Sequence, residues 1–315
     1  MPSIAILGSG FGLYGYLPAL ASDSSVEFVL PLRSRASLAA RAELAPYVRK
    51  IHWAADERAA LQAATTVVMA LRPEAQASWL RYCLELDTLQ TLLLEKPLAP
   101  APGLAQELAS GLRASGKTWR IGYLFRFMDW AAQLREHVAG LTDRSTAHVD
   151  IRWEFLAHHY RHNVSTWKTD PARGGGALHF YGIHLVALLA EAGYDTVVSS
   201  RGGAGNGDAA TWVARFRGPA LPDCTVAVDS KAASSRFSVV QRSSGNATPV
   251  VELADPFEEA QAVAGLDRRV SALAMHCMTA TDGQAAYGWY DVAIDLWRQA
   301  EGKSRHPAQT ISGEH

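Results

Sequence analysis

Four apolar residues, Ile4-Ala5-Ile6-Leu7, run directly into Gly8-Ser9-Gly10-Phe11-Gly12 and then into a helical pattern through Leu13, Leu17 and Leu20. A short buried strand whose glycine turn opens a helix is the first half of a βαβ unit. The alternation continues, with strands expected at 26–32, 50–53, 67–71, 91–94 and 120–124 and helices at 35–44, 57–63, 75–86 and 102–115. Strands alternating with helices indicate a parallel sheet, so the first 124 residues predict a doubly wound α/β domain. The alternation then stops, which puts a domain boundary there and divides the chain into 1–124 and 125–315.

The glycine turn, Gly8, Gly10, Phe11 and Gly12, is a candidate pyrophosphate site. Glycine lets the backbone come close to a phosphate, and the helix start offers free N–H groups to it. The spacing departs from the usual G-x-G-x-x-G, because the third glycine is Gly12 and Leu13 stands where it is expected. About 20 residues on, an NAD site usually has an acid for the ribose 2′-hydroxyl. Here the second strand ends at Arg33-Ser34-Arg35, and Glu27 lies at its wrong end. Two guanidiniums and a hydroxyl suit a 2′-phosphate, favouring NADP over NAD. The competing reading is a Ser34 helix cap with exposed arginines.

Leu92-Leu93-Leu94-Glu95-Lys96-Pro97 is a buried strand that its proline forces out of the sheet. Glu95 and Lys96 therefore stand at a carboxyl strand end, where open α/β sheets bind ligands. A surface ion pair is the simpler reading of Glu-Lys-Pro taken alone.

The chain's 315 residues are 48% hydrophobic, enough for two cored domains. A formal net charge of -1 gives no electrostatic reason to expect nucleic acid or an anionic membrane. The three cysteines are widely spaced and suit free thiols in a reducing cytoplasm. No run approaches the ~20 apolar residues of a membrane span, and the N-terminal strand leaves no room for a secretory signal.

Beyond residue 125 the pattern becomes mostly antiparallel. A helix to about residue 140 precedes a strand at 147–157 with Val149, Ile151, Trp153 and Phe155 on one face. Further strands are expected at 196–201, 209–217, 224–231, 237–242 and 249–253, with a turn at Gly205-Asn206-Gly207. Helices at 260–279 and 284–300 and a loose tail from Gly302 close the chain. Such a sheet keeps one face for helices and one for a partner subunit. Between these elements lie Trp167-Lys168-Thr169-Asp170-Pro171 and Gly174-Gly175-Gly176-Ala177-Leu178-His179-Phe180-Tyr181-Gly182-Ile183-His184. A histidine here can exchange a proton near neutral pH, although a buried, hydrogen-bonded histidine is the commoner case.

These marks in this order, Gly8-x-Gly10, Glu95-Lys96-Pro97, the Gly122-Tyr123-Leu124-Phe125-Arg126-Phe127 strand, Trp167-x-x-Asp170 and the triple glycine leading to His184, resemble the glucose-fructose oxidoreductase / inositol dehydrogenase (Gfo/Idh/MocA) family over nearly the whole chain. The resemblance implies a Rossmann domain and an α/β domain whose open sheet makes a homodimer or homotetramer. It implies hydride transfer between a nicotinamide, NADP or NAD, and a carbinol or keto carbon of a sugar, sugar nucleotide or cyclitol. Lys96 would hold the substrate oxygen, and His184 would be its proton-transfer partner. Glu95, Pro97, Leu71, Arg72, Pro73 and Gln76 would line the cofactor; Arg126, Tyr160, Trp167, Asp170, His179 and Tyr181 would bound the substrate. One departure stands out: Phe180 occupies the position of the family's aspartate, and Leu124 replaces a polar residue. The alternative is therefore a catalytically altered relative that binds dinucleotide and regulates. A third reading, metal chemistry at His158, His159 and His162, lacks a supporting ligand motif.

Overall fold

The computed structural model describes residues 3–141, 147–203, 209–243, 246–258, 266–281 and 288–305. Its strands are β1 Ser3–Leu7, β2 Glu27–Pro31, β3 Ile51–Ala54, β4 Thr66–Met69, β5 Thr91–Leu94, β6 Thr118–Ile121, β7 His148–Leu156, β8 Thr196–Gly202, β9 Thr211–Arg217, β10 Asp223–Asp229, β11 Lys231–Ser243 and β12 Asn246–Leu253. Its helices are α1 Leu17–Ala21, α2 Ser34–Ala39, α3 Glu57–Gln62, α4 Pro73–Leu84, α5 Pro102–Ala114, α6 Asp129–Gly140, α7 His158–Arg161, α8 Ile183–Glu191, α9 Arg268–Thr281 and α10 Gly288–Arg305.

The chain forms two compact units. The first takes in β1–β6, their crossover helices and α9. Its six strands are all parallel, in the order β3-β2-β1-β4-β5-β6. Strands covered on both faces must be apolar almost throughout, and Val67, Val68, Leu92 and Leu94 are fully buried. The order reverses between β1 and β4, which is the switch point where such sheets bind ligands. The predicted strand at 120–124 sits earlier, at Thr118–Ile121, and Leu124–Phe127 forms a 3-10 turn instead. Tyr123, Leu124 and Phe125 are buried without belonging to the sheet, so an apolar run misleads there about strand.

The second unit contains β7–β12 with α6, α7, α8 and α10. Its sheet order is β12-β11-β7-β10-β9-β8, antiparallel except for the parallel pair β7–β10. The alternation read from 147–157 holds: Val149, Ile151 and Trp153 are buried, while Arg152 is exposed. Helix α10 packs on α8 and β8 and buries Ile294, Leu296 and Trp297. The outward face of the sheet carries ion pairs, Arg215 and Arg217 with Asp223, Arg236 with Glu252, and Arg242 with Asp150.

The units differ from the boundary drawn at residue 124: the first runs on to Asp129 and takes back α9, and the second includes Pro100–Gly103. Helix α9 packs against α1 and β6 and so belongs to the first unit, although the stretch Trp130–Glu258 of the second intervenes. Residues Gly302 to Arg305, read as loose tail, are the last turn of α10. The turn expected at Gly205-Asn206-Gly207, the start of the helix expected from Ala260, the stretch from Gln284 to 287 and the tail beyond Arg305 lie outside the described residues.

Candidate active site

The carboxyl ends of β2, β1, β4 and β5 stand side by side, and they carry most of the residues singled out in the first unit. Gly8 ends β1 at φ +124, and a Cβ there would lie 2.2 Å from the Ala70 carbonyl oxygen beyond β4. No side chain fits this position. At Gly10, by contrast, an added Cβ meets no protein atom within 4 Å. Packing therefore does not explain Gly10. Phe11 precedes a wide π-helical turn, Gly12–Tyr16, that runs into α1, and Leu13 N–H donates to Gly10 O at 2.9 Å. A bare backbone turn at a helix start, on the switch point of a sheet in this strand order, suits a dinucleotide pyrophosphate.

At the end of β2, Arg33 pairs through Nε with Glu57 Oε1 at the start of α3. Ser34 is the first residue of α2 and makes no side-chain cap there. The Arg35 guanidinium lies over the Trp53 ring, 5.8 Å from its centroid. At the end of β4, Leu71 is half-buried, Arg72 exposed and Pro73 buried as the first residue of α4.

Gln76 has a different task from cofactor contact. It is fully buried. Its Nε2 donates to the carbonyls of Glu95 (2.6 Å), Pro97 (3.3 Å) and Leu98 (3.3 Å), and its Oε1 accepts from Glu95 N–H at 3.1 Å. One amide thus clamps the chain as it leaves β5 across the cis Lys96–Pro97 peptide. Glu95 Oε1 accepts from the Tyr16 hydroxyl at 2.9 Å, and Lys96 is half-buried. Arg126, in the 3-10 turn that follows β6, belongs to this unit and holds its guanidinium over Phe127.

Tyr16, Glu57 and His276 contact this region, which local sequence patterns did not show. His276 on α9 lies edge-on to Tyr16 and Phe127. Burial holds its pKa down to about 3, aided by the charges of Arg120 and Arg126. Its Nε2 has no hydrogen-bond partner among the described residues. Only the fold-back of α9 brings it here, so no spacing in the sequence could reveal it.

In the second unit the glycines serve the loop itself. A Cβ on Gly175 would lie 2.3 Å from the Trp167 carbonyl oxygen, so the segment from Trp167 folds back tightly on the triple glycine. Asp170 accepts from Ala172 N–H at 3.0 Å and caps the turn Pro171–Arg173. His179 is buried, and its Nδ1–H donates to the Pro171 carbonyl at 3.0 Å. Its ring packs beside Trp297, and burial pushes its pKa down to about 4. It therefore supports the loop.

His184 is in the first turn of α8, buried, with its ring edge-on to Phe257. The helix expected from Ala177 begins as a π-helical turn, Ala177–Gly182. Phe180 meets Trp167 edge-on at 5.3 Å, Tyr181 at 4.8 Å and the Lys168 ammonium at 5.0 Å. Tyr181 also packs on Trp153 and Phe155, while Tyr160 stacks beside His159 and beneath the Lys231 ammonium. The result is a half-exposed aromatic cluster flanked by cations, in place of the carboxylate that the resemblance led one to expect. His158 and His162 lie 4.4 Å apart, but among the described residues no group of three or more His, Cys, Asp or Glu could hold a metal ion.

No protein-family model and no curated protein matches the chain. Solved structures do. GenD2 from gentamicin A biosynthesis, in complex with NAD, aligns with a TM-score of 0.70 at 16% identity over 96% of this chain and 94% of its own. The WlbA dehydrogenase from Bordetella pertussis, in complex with NADH and UDP-GlcNAcA, aligns at 0.72 and 12% identity over 97% and 96%. An oxidoreductase domain protein from Kribbella flavida aligns at 0.71 and 16% over 98% of each chain.

All three share this fold.

The similarity spans nearly the full length of each chain, so both sheets are included. The Rossmann sheet followed by a mostly antiparallel open sheet is thus the architecture that the sequence resemblance implied.

Proposed function

We propose that the chain is an NAD(P)-dependent oxidoreductase that moves a hydride between the nicotinamide and a carbinol or keto carbon of a sugar, sugar nucleotide or cyclitol-like substrate. The observation that carries this is the Gly8–Gly10 turn. Gly8 is fixed by Ala70, Gly10 is open, and both stand at the β1/β4 switch point. The shared fold with structures that hold NAD or NADH supports it.

When bound, the nicotinamide supplies or accepts the hydride. The chain supplies everything else. Lys96, held at the exit of β5 by the Gln76 clamp, presents an ammonium to the substrate oxygen. It stabilises negative charge there and hands over or takes up the proton. Within the second unit, the resemblance assigns proton transfer to His184, and the Tyr181–Phe180–Trp167 cluster offers apolar faces to a sugar ring. Glu95, tied to Tyr16, shapes the nicotinamide end.

Because Phe180 supplies no carboxylate, a dinucleotide-binding protein without turnover is the competing reading. Turnover of a panel of sugars, sugar nucleotides and cyclitols by wild type and Lys96→Ala separates the two. The oxidoreductase reading expects wild-type activity that the variant loses by about 10²–10⁴-fold, with dinucleotide affinity retained. Absence of turnover in both, with binding intact, favours the regulatory reading.

The open face of the second sheet makes a homodimer or homotetramer. Light scattering measures that assembly. No helix among the described residues is long and apolar enough to cross a membrane. A cytoplasmic setting fits the three buried free cysteines.

A further inference from the structure

We propose that Glu57 makes the first unit select NADH over NADPH, despite the two arginines that follow β2. The inference rests on the dinucleotide reading above and narrows it. In a sheet of this strand order the adenosine ribose lies beyond the carboxyl end of β2. The sequence offers no acid there, only Leu32-Arg33-Ser34-Arg35. The fold brings one from the next crossover. Strands β2 and β3 are parallel, with Pro31 opposite Ala54, and Leu32 N–H donates to Ala54 O at 2.8 Å. The turn that opens α3 is thereby fixed beside the turn that opens α2.

Two acids lie in that turn. Asp56 spends its carboxylate on the Ala59 N–H, 2.8 Å away, as the cap of α3. Glu57 reaches back and takes the Nε of Arg33. The carboxylate is the more enclosed partner: its side chain is 17% exposed, against 69% for Arg33. The acid that most NAD sites place at the end of β2 is thus supplied from α3, and the arginine orients it.

The pair treats the two cofactors differently. A 2′-hydroxyl donates a hydrogen bond to the remaining acceptor sites of Glu57, and the charge of the carboxylate strengthens that bond. A 2′-phosphate carries roughly two negative charges at neutral pH. It meets a carboxylate at the same place and must draw Arg33 off Glu57 before it gains a guanidinium. Arg35 does not reverse this preference. Its guanidinium lies over Trp53, 5.8 Å from the ring centroid, so that it offers the adenine ring a stacking surface.

The test is equilibrium titration of the full chain with NADH and with NADPH at one fixed salt concentration, read by tryptophan fluorescence. The proposal expects wild type to bind NADH at least about tenfold more tightly, the scale of one charge-assisted hydrogen bond. In Glu57→Gln the ratio moves toward NADPH by about tenfold or more, since the repelling charge is gone and Arg33 is released. Adding Arg33→Ala to Glu57→Gln then removes the NADPH gain. Equal or tighter NADPH binding by wild type overturns the assignment of Glu57, and so does a ratio that Glu57→Gln leaves unchanged. Failure of wild type to bind either dinucleotide at submillimolar concentration overturns the dinucleotide reading itself, a result distinct from both.

Discussion

Gly8 and Gly10 are two residues apart and answer to different forces, which makes them a paired test. Gly8→Ala puts a side chain into a left-handed backbone and against the Ala70 carbonyl. It should lower stability by about 1–3 kcal/mol, the usual cost of such strain, seen as a lower denaturation midpoint. Gly10→Ala has nothing to collide with inside the protein. It should change stability by less than about 0.5 kcal/mol yet weaken dinucleotide binding in the same titration. Gln76 is the other decisive residue. Its amide serves three carbonyls and one N–H around Lys96. Gln76→Ala should cost about 2–4 kcal/mol through lost buried hydrogen bonds and a cavity, and a thermal melt would register it. The sequence marked Gln76 as part of the site but could not say which way its amide points. Glu57 escaped notice because its partnership with Arg33 depends on the β2–β3 register, not on spacing along the chain.

At the scale of elements, strands were legible wherever burial alternated or ran unbroken, as in β4, β5 and β7. They were misread where an apolar run left the sheet and stayed buried, as in the 3-10 turn after Ile121. Both glycine-opened helices begin with a π-helical turn, Gly12–Tyr16 and Ala177–Gly182. Hydrophobic spacing at 3.6 residues carries no signal for such a turn, so the faces on which His179 and His184 fall could not be fixed in advance. The loop from Trp167 to Gly176 hangs on one of these residues. His179 Nδ1–H holds Pro171, so His179→Ala should release the loop, whereas His179→Asn keeps a donor near the same place. Limited proteolysis should cut the alanine variant in this loop faster than wild type or the asparagine variant. Equal rates in all three would show that the bond does not hold the loop.

For the whole molecule, the sequence conveyed two sheets and their order but not the return of α9 to the first unit, because its packing partners lie more than 140 residues away. That return buries His276, and the fold of the second unit buries His179. Burial depresses both imidazoles, to about 3 and about 4 from the ordinary 6.5. A depressed histidine is neutral in the folded protein and takes up a proton more readily when unfolded. The stability it contributes is therefore complete above pH 6.5 and is lost as pH falls from there toward the folded values. Urea midpoints should decline steadily between about pH 6.5 and 4, and His179→Asn should flatten part of that slope. The most direct test of the whole account is the comparison of Lys96→Ala with wild type in nicotinamide reduction across sugars, sugar nucleotides and cyclitols, with NADH affinity measured on both. The account predicts turnover by wild type, its near-complete loss in the variant and equal affinities; a wild type that binds no dinucleotide, or a variant as active as wild type, would contradict it.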